Sequence, residues 1–407
     1  MKIKSSTSSL AIAIALFVGA ITLPAAEKNG PATIVYVESN KAAANSILAY
    51  QRDAQGRLTP LGEFPTGGQG VFDLSLDLGP FDSDQDLIVN AEHTLLFAVN
   101  SGSDTIAVFN IQADGRLTPV AGSPFPSGGA NPVSVGLARE TLVVVNKAMD
   151  PARPALNQPN YATFHVMPNG ALAGPLSTSP AVSGSSPTQA DLSPGKRLVF
   201  DAQFLGGMLR SFFIEAAGTL TPIDLQPLPA SEFAGSSAPR APLGLWSHPR
   251  QPILYVGFVT INRLGVYTYD AVGHLTFVRT VPNSGTAICW LRNNEAGTRL
   301  YTSNTGDGSV SVYDTTAPLA PVEIQKLKLK GVGNPLQLDL DPRGDFLSVI
   351  TQRADDTIPL GTGNSLHALK VNATTGRLTE TGNSSVALPV PPGTRPQGVV
   401  VVQTREQ

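Results

Sequence analysis

One short phrase, recurring at wide and nearly even intervals, constrains this chain more than any other feature of it. QGRLTP (55–60), DGRLTP (114–119), NGALAG (169–174), AGTLTP (217–222), VGHLTF (272–277) and TGRLTE (375–380) follow β-rich runs such as TIAVFNI (105–111) and RLGVYTY (263–269). The glycine supplies the positive φ of a tight hairpin turn, and Leu-Thr restarts the extended chain. Further upstream lies another apolar run: IVYV (34–37), LLFAVN (95–100), LVVVN (142–146), RLVF (197–200), ILYV (253–256), RLYTSN (299–304) and FLSVI (346–350). Their starts at Ile34, Leu95, Leu142, Leu198, Ile253, Leu300 and Phe346 are 61, 47, 56, 55, 47 and 46 residues apart. A period near 50 with several short strands per unit predicts a β-propeller. Stacked helical repeats are excluded, because 39 Gly and 34 Pro interrupt every window long enough for two helices.

A third recurring element sets the strand count. Before most of the apolar runs stands x-Pro, then alternating residues, then a turn: NPVSVGLA (131–138), SPTQADLSPG (186–195), APLGLWSHP (241–249) and NPLQLDLDPRG (334–344). Proline is tolerated at the first residue of a strand, where no ladder donor is needed. Each unit therefore has four strands. One copy, RPQGVVVV (395–402), lies beyond the seventh unit, and the first unit starts at IVYV without a copy of its own. The expected architecture is all-β: a seven-bladed propeller over residues 27–407 as one domain. Its C-terminal strand completes the N-terminal blade and closes the ring.

Residues 1–26 are expected to be a signal peptide. Lys2 and Lys4 precede an apolar stretch from Leu10 to Leu23, and small residues follow at Ala20, Ala25 and Ala26. The stretch is shorter than the ~20 residues that span a bilayer. The mature chain is thus expected to be secreted or periplasmic, monomeric and without a membrane span. A net charge of −3 with no basic block argues against nucleic acid as a partner. The single cysteine, Cys289, excludes intrachain disulfides and cysteine-cluster metal sites. No cofactor is expected.

Two Gly/Pro-rich insertions, 67–86 and 147–160, are expected on the surface as lids or contact loops. Aligned on x-Pro, Asp86, Gln189, Asp191, Arg292, Gln337 and Asp339 fall at alternating positions that face the channel. In a catalytic reading Asp191 or Asp339 is the base, Arg292 anchors an acidic substrate, and Asp86, Gln189 and Gln337 complete a ligand funnel. In a structural reading the same groups tie strands together through hydrogen bonds. Asp82, Asp84 and Asp86 open like a calcium loop, but Leu87 replaces its glycine and the closing Glu is missing, so a solvated acidic loop is expected. Ser193-Pro-Gly-Lys196 has S-x-x-K spacing but reads as turn chemistry. The five histidines share no metal-ligand spacing, and TGGQG (66–70) lacks the lysine and helix of a phosphate cradle.

The DGRLTPV tags, strands like LLFAVNSGSDTIAVF and the segment SPFPSGGANPVSVGL resemble the seven-bladed propeller lactonase family. That family includes bacterial propeller-type phosphogluconolactonases and fungal carboxymuconate cyclases, and the likeness is greatest to a secreted bacterial branch. It covers essentially all of the mature chain and implies hydrolysis of a sugar-acid or related lactone. Active members carry G-P-R-H and V-N-E, where this chain has Ala241-Pro242-Leu243-Gly244 and Val256-Gly257-Phe258. A P-H-x-H-like segment corresponds to Ser186-Pro187-Thr188-Gln189. The resemblance therefore carries the fold and no catalytic residue. Two functions stay open: a lactonase-like hydrolase, or a non-catalytic binding propeller that holds a protein or glycan through its 67–86 and 147–160 loops.

Overall fold

The computed structural model describes Met1, residues 32–72 and residues 81–404; the expected signal peptide lies almost wholly outside them. Seven antiparallel sheets follow one another along the chain. Their innermost strands are Gln397–Gln403, Leu87–Val89, Pro132–Ala138, Asp191–Leu192, Pro242–Ser247, Ile288–Asn293 and Asn334–Leu340, in blades one to seven. Each blade has four strands in its main path, and short fifth strands at Phe125–Pro126 and Ser385–Ala387 extend blades two and seven. The second strands, Thr33–Glu38, Leu95–Asn100, Thr141–Asn146, Leu198–Gln203, Ile253–Phe258, Arg299–Asn304 and Phe346–Gln352, are the seven apolar runs of the sequence.

Closure follows the predicted permutation. Gln397–Gln403 pairs antiparallel with Thr33–Glu38, from Thr33 opposite Gln403 to Glu38 opposite Gln397, with one bulge at Val37/Glu38. The first and last described strands thus share one blade, which leaves no open edge at the ring's seam. Among the described residues, no helix is long and apolar enough to cross a membrane.

The core is divided among the gaps between blades. Leu96, Ala98 and Phe109 of blade two pack with Tyr36 and Ile47 of blade one. Phe97 and Val108, on the other face of blade two, pack with Val135 and Val144 of blade three. The pattern repeats round the ring, and the closing gap joins Val35, Val37 and Val401 of blade one to Leu336 and Ile350 of blade seven. Alternation along each strand therefore feeds both neighbouring gaps, so the second strands are buried along nearly their whole length.

The recurring glycine tags lock these gaps. Gly115 of blade two, at φ +81°, is so close to blade one that a Cβ would come within 2.6 Å of Ile34. Gly56 stands in the same relation to Phe346 of blade seven, and Gly376 to Arg299 of blade six, each at 2.6 Å. Hydrogen bonds reinforce the contact: Tyr36 Oη donates to the Gly115 carbonyl at 2.7 Å, and Tyr301 Oη to that of Gly376 at 3.2 Å. Gly115→Ala should therefore cost roughly 2–4 kcal/mol, from the strained φ and the overpacked gap together. Gly382→Ala, with nothing within 4 Å of its Cβ position, should stay within about 0.5 kcal/mol of the parent. Paired urea melts check both.

Candidate functional site

The ring has two mouths. At the entry mouth the chain passes into each inner strand; at the exit mouth the inner strands turn back into the second strands. A cavity of about 880 Å³ opens at the exit mouth. Its deep wall is made by Gln85, Trp246, Arg292 and Asp339, and its rim by turns carrying Arg250 and Arg343.

The four deep residues come from the insertion before blade two and from blades five, six and seven. The Arg292 guanidinium lies 3.8 Å from the centre of the Trp246 ring. Its Nε donates to the Leu338 carbonyl at 3.0 Å and lies 3.2 Å from Asp339 Oδ1. Its Nη2 is 4.0 Å from Asp84 Oδ1. Asp339 Oδ2 accepts from the Val401 amide at 2.8 Å. Burial raises the Asp339 carboxyl to about 6, with Arg292 pulling the other way. The arrangement offers a carboxylate that titrates near neutrality beside a fixed cation, against an aromatic wall.

Of the six sequence-derived site residues, Arg292 and Asp339 meet in this cavity. The other four are occupied within the fold. Asp191 Oδ2 accepts from the amide and hydroxyl of Ser247 at 3.0 and 2.6 Å, tying blade four to blade five. Gln189 clasps Leu245 through both its amide atoms, at 2.8 and 3.0 Å, and also donates to Gln85. Gln337 donates to the Ser83 carbonyl at 2.6 Å and to Gln397 at 3.1 Å. Asp86 accepts from Ser83 Oγ at 3.0 Å. Asp86, Gln189 and the Gln337 amide nitrogen thus bond to the inner strands and to the segment that fills the channel, while Gln337 Oε1 is buried without a partner among the described residues.

That segment departs from the sequence expectation. Phe81–Asp86 is no solvated acidic loop; Phe81, Asp84 and Asp86 are buried on the ring's axis. Lys147 Nζ donates to the Asp82 carbonyl at 2.7 Å, the Asp84 amide to Thr188 at 3.2 Å, and the Val135 amide to Gln85 at 2.9 Å. Residues 73–80 of the same insertion lie outside the described part. The 147–160 insertion is braced as well: Arg153 reaches Asp104 at 2.7 Å and Asp150 at 2.6 Å, clamping it to blade two. Gly68 of TGGQG packs on the Asn100 side chain, as Gly129 does on Asn146, so these glycines serve close packing between blades. Ser193 Oγ accepts from the Leu198 amide within its own turn. No three His, Cys, Asp or Glu side chains converge as metal ligands among the described residues.

Sequence reasoning missed Trp246 and Gln85 at the cavity, and it did not foresee that Asp84 faces Arg292. It also missed the cluster beneath the segment, where Tyr161 Oη donates to Asp201 at 2.6 Å and Lys147 lies buried. Trp246 occupies an inner strand aligned on x-Pro, at the level of Arg292, and that alignment was the available signal.

Solved structures of similar fold bear on the class of protein. A periplasmic gluconolactonase of Pseudomonas aeruginosa matches with a TM-score of 0.66 at 15% identity, over 92% of this chain and 100% of that one. A protein of Bacteroides uniformis, provisionally assigned as a 6-phosphogluconolactonase, matches with 0.67 at 14%, over 92% and 100%. A hypothetical selenium-binding protein of Sulfolobus tokodaii matches nearly as well, with 0.64 at 12%, over 93% and 96%. No family profile and no curated protein sequence matches the chain. The chain is a seven-bladed propeller of the architecture shared by these lactonases, and likeness at this identity carries the fold alone. The stretches where the resemblance would place catalytic groups, 186–189, 241–244 and 256–258, are all buried at the entry mouth, beside the filled axis.

Arg292→Met should cost about 3 kcal/mol at pH 7.5, because it leaves Asp84 and Asp339 without their counter-charge. Asp339 carries its proton in the folded state below about pH 6. The cost should therefore shrink at pH 4.5, where there is less negative charge to neutralise. Urea melts of parent and variant at the two pH values measure the difference.

Proposed function

We propose that this protein is an exported lactone hydrolase working at the exit-mouth cavity, on an uncharged sugar lactone or a related one. The observation that carries the reading is the meeting of Asp339, Arg292 and Trp246 at the base of that cavity. The fold shared with a gluconolactonase is consistent with it. Export rests on the signal-peptide grammar of residues 1–26, and the periplasmic origin of that structural relative agrees with it.

The chemistry needs few parts. Asp339, ionised above about pH 6, takes a proton from water as the water oxygen attacks the lactone carbonyl. The oxyanion that forms is held by Arg292, whose Nη groups make no hydrogen bond to any described residue. The ring C–O bond then breaks, and Asp339 returns the proton to the leaving alkoxide. The product hydroxy acid ionises and releases one proton to solution. Arg292 is flanked by Asp84 and Asp339, so it is poorly placed to anchor an acidic substrate as the sequence suggested. An uncharged sugar lactone, its ring against the aromatic wall, fits the charge balance better.

A binding propeller without catalysis is the second reading, favoured by one observation: the positions equivalent to the lactonase signature carry Leu243, Gly244, Gly257 and Phe258. A pH-stat assay of the mature protein on sugar and aromatic lactones, corrected for spontaneous hydrolysis, separates the two. Turnover is expected to rise with pH through about 6 and to fall at least 100-fold in Asp339→Asn. Absence of turnover together with saturable binding of the same sugars would establish the second reading.

A further inference from the structure

The axis of the ring holds more acid than base. The segment Phe81–Asp86 brings Asp82, Asp84 and Asp86 into the channel. Facing them are Glu38 and Arg395 from blade one, Lys147 from blade three, Arg292 from blade six and Asp339 from blade seven, while Asp201 of blade four lies behind Lys147, bonded to Tyr161 and to the Thr188 and Gln189 amides. Among the described residues, blades two and five present no charged group there: the Val99 amide of blade two donates to the Asp86 carbonyl, and blade five offers Trp246. Asp191 of blade four is held by Ser247 and faces Lys196. Among the described residues, six carboxyl groups on or beside the axis therefore meet three cations. Glu38 Oε2 and Asp84 Oδ2 are buried without a hydrogen-bond partner.

Such a cluster cannot be fully ionised in so buried a channel without a large Coulombic cost. The segment itself is held by polar contacts to six blades: Gln397 of blade one, Val99 of two, Val135 and Lys147 of three, Thr188 and Gln189 of four, Arg292 of six and Gln337 of seven. Phe81, under the Arg395 guanidinium at 4.0 Å, is its one large apolar anchor. We propose that Phe81–Asp86 is a proton-held plug, seated while the axial carboxyl groups carry protons and released as they ionise, so that the exit-mouth cavity joins the entry mouth.

The sign follows from the direction in which burial moves each group. Asp201 is raised to about 7 and Asp339 to about 6, while Glu38 and Asp86 are raised by burial and by neighbouring carboxylates. The seated state binds these protons more tightly than an open one, so its advantage is complete in acid and is lost as pH rises through 6–7. Lys147, pushed down to about 8 by burial, acts in the opposite sense but only above pH 8. Release therefore belongs to the interval between pH 5 and 8. The plug is independent of whether the cavity hydrolyses lactones.

Hydrogen exchange of the full mature chain tests it, with rates corrected for their intrinsic pH dependence and a chelator present. The amides of Asp84 and Val99, which donate to Thr188 and Asp86, should lose at least tenfold protection between pH 5.5 and 8.0. Strand Arg299–Asn304 should keep its protection. In Glu38→Gln/Asp86→Asn, or in Asp84→Asn should the double variant not fold, the pH effect should shrink below threefold. Unchanged protection across the range would overturn the plug, and so would an equal loss in every blade. If calcium or magnesium without chelator abolishes the pH effect in the parent, a metal ion supplies the counter-charge, and the proton-held plug is overturned.

Discussion

Everything in this molecule depends on the gap between one blade and the next. A four-stranded sheet cannot bury both its faces alone, and here each face is covered only by a neighbour. The gap must be narrow enough for Phe97 and Val108 of one blade to meet Val135 and Val144 of the next. A glycine makes that spacing possible on the outer side, where any larger residue at Gly56, Gly115 or Gly376 would hold the blades apart. Because each contact constrains only two blades, the interaction must be repeated until the ring closes. Closure by Gln397–Gln403 makes the last gap like the others.

Seven inner strands around an axis create a second requirement. Their axial faces meet no neighbouring sheet, so polar side chains there must find partners across the channel or from outside the repeat. Asp191 to Ser247 and Asp339 to Val401 are one solution, each tying an inner strand to the next blade's. The segment Phe81–Asp86 is the other, accepting from the side-chain donors of Gln189, Gln337 and Lys147 by occupying the axis. This filling closes the entry mouth and leaves the open volume at the exit mouth.

The blades were legible because their signal is local. Strand-turn-strand phrases, x-Pro starts and a displaced final strand lie within a few residues of one another, and the structure places them as expected. Alternation along the inner strands also brought Arg292 and Asp339 to the same place, since one face of a strand is fixed by its period. What could not be read was which polar group finds which partner. Gln85 meets Gln189, and Asp84 meets Arg292, across a hundred or more residues and only through ring closure. The acidic run Asp82–Asp84–Asp86 has the composition of a solvated loop. Its burial is dictated by the channel it enters, and the local sequence holds no sign of that channel.

The seam of the ring and the base of the cavity turn out to share an atom group. One oxygen of Asp339 accepts the amide of Val401, in the strand that closes the propeller, while the other faces Arg292. A carboxylate fixed in this way cannot swing to meet a substrate, so its reach is set by the closing strand. Strain or fraying at the seam would move the carboxylate and loosen the Arg292 contact at the same time. Arg292 is in turn held by the Trp246 face and by the Leu338 carbonyl, so the cavity base is as rigid as the blades that bear it. That rigidity suits a site which must hold water, carbonyl and cation in one line.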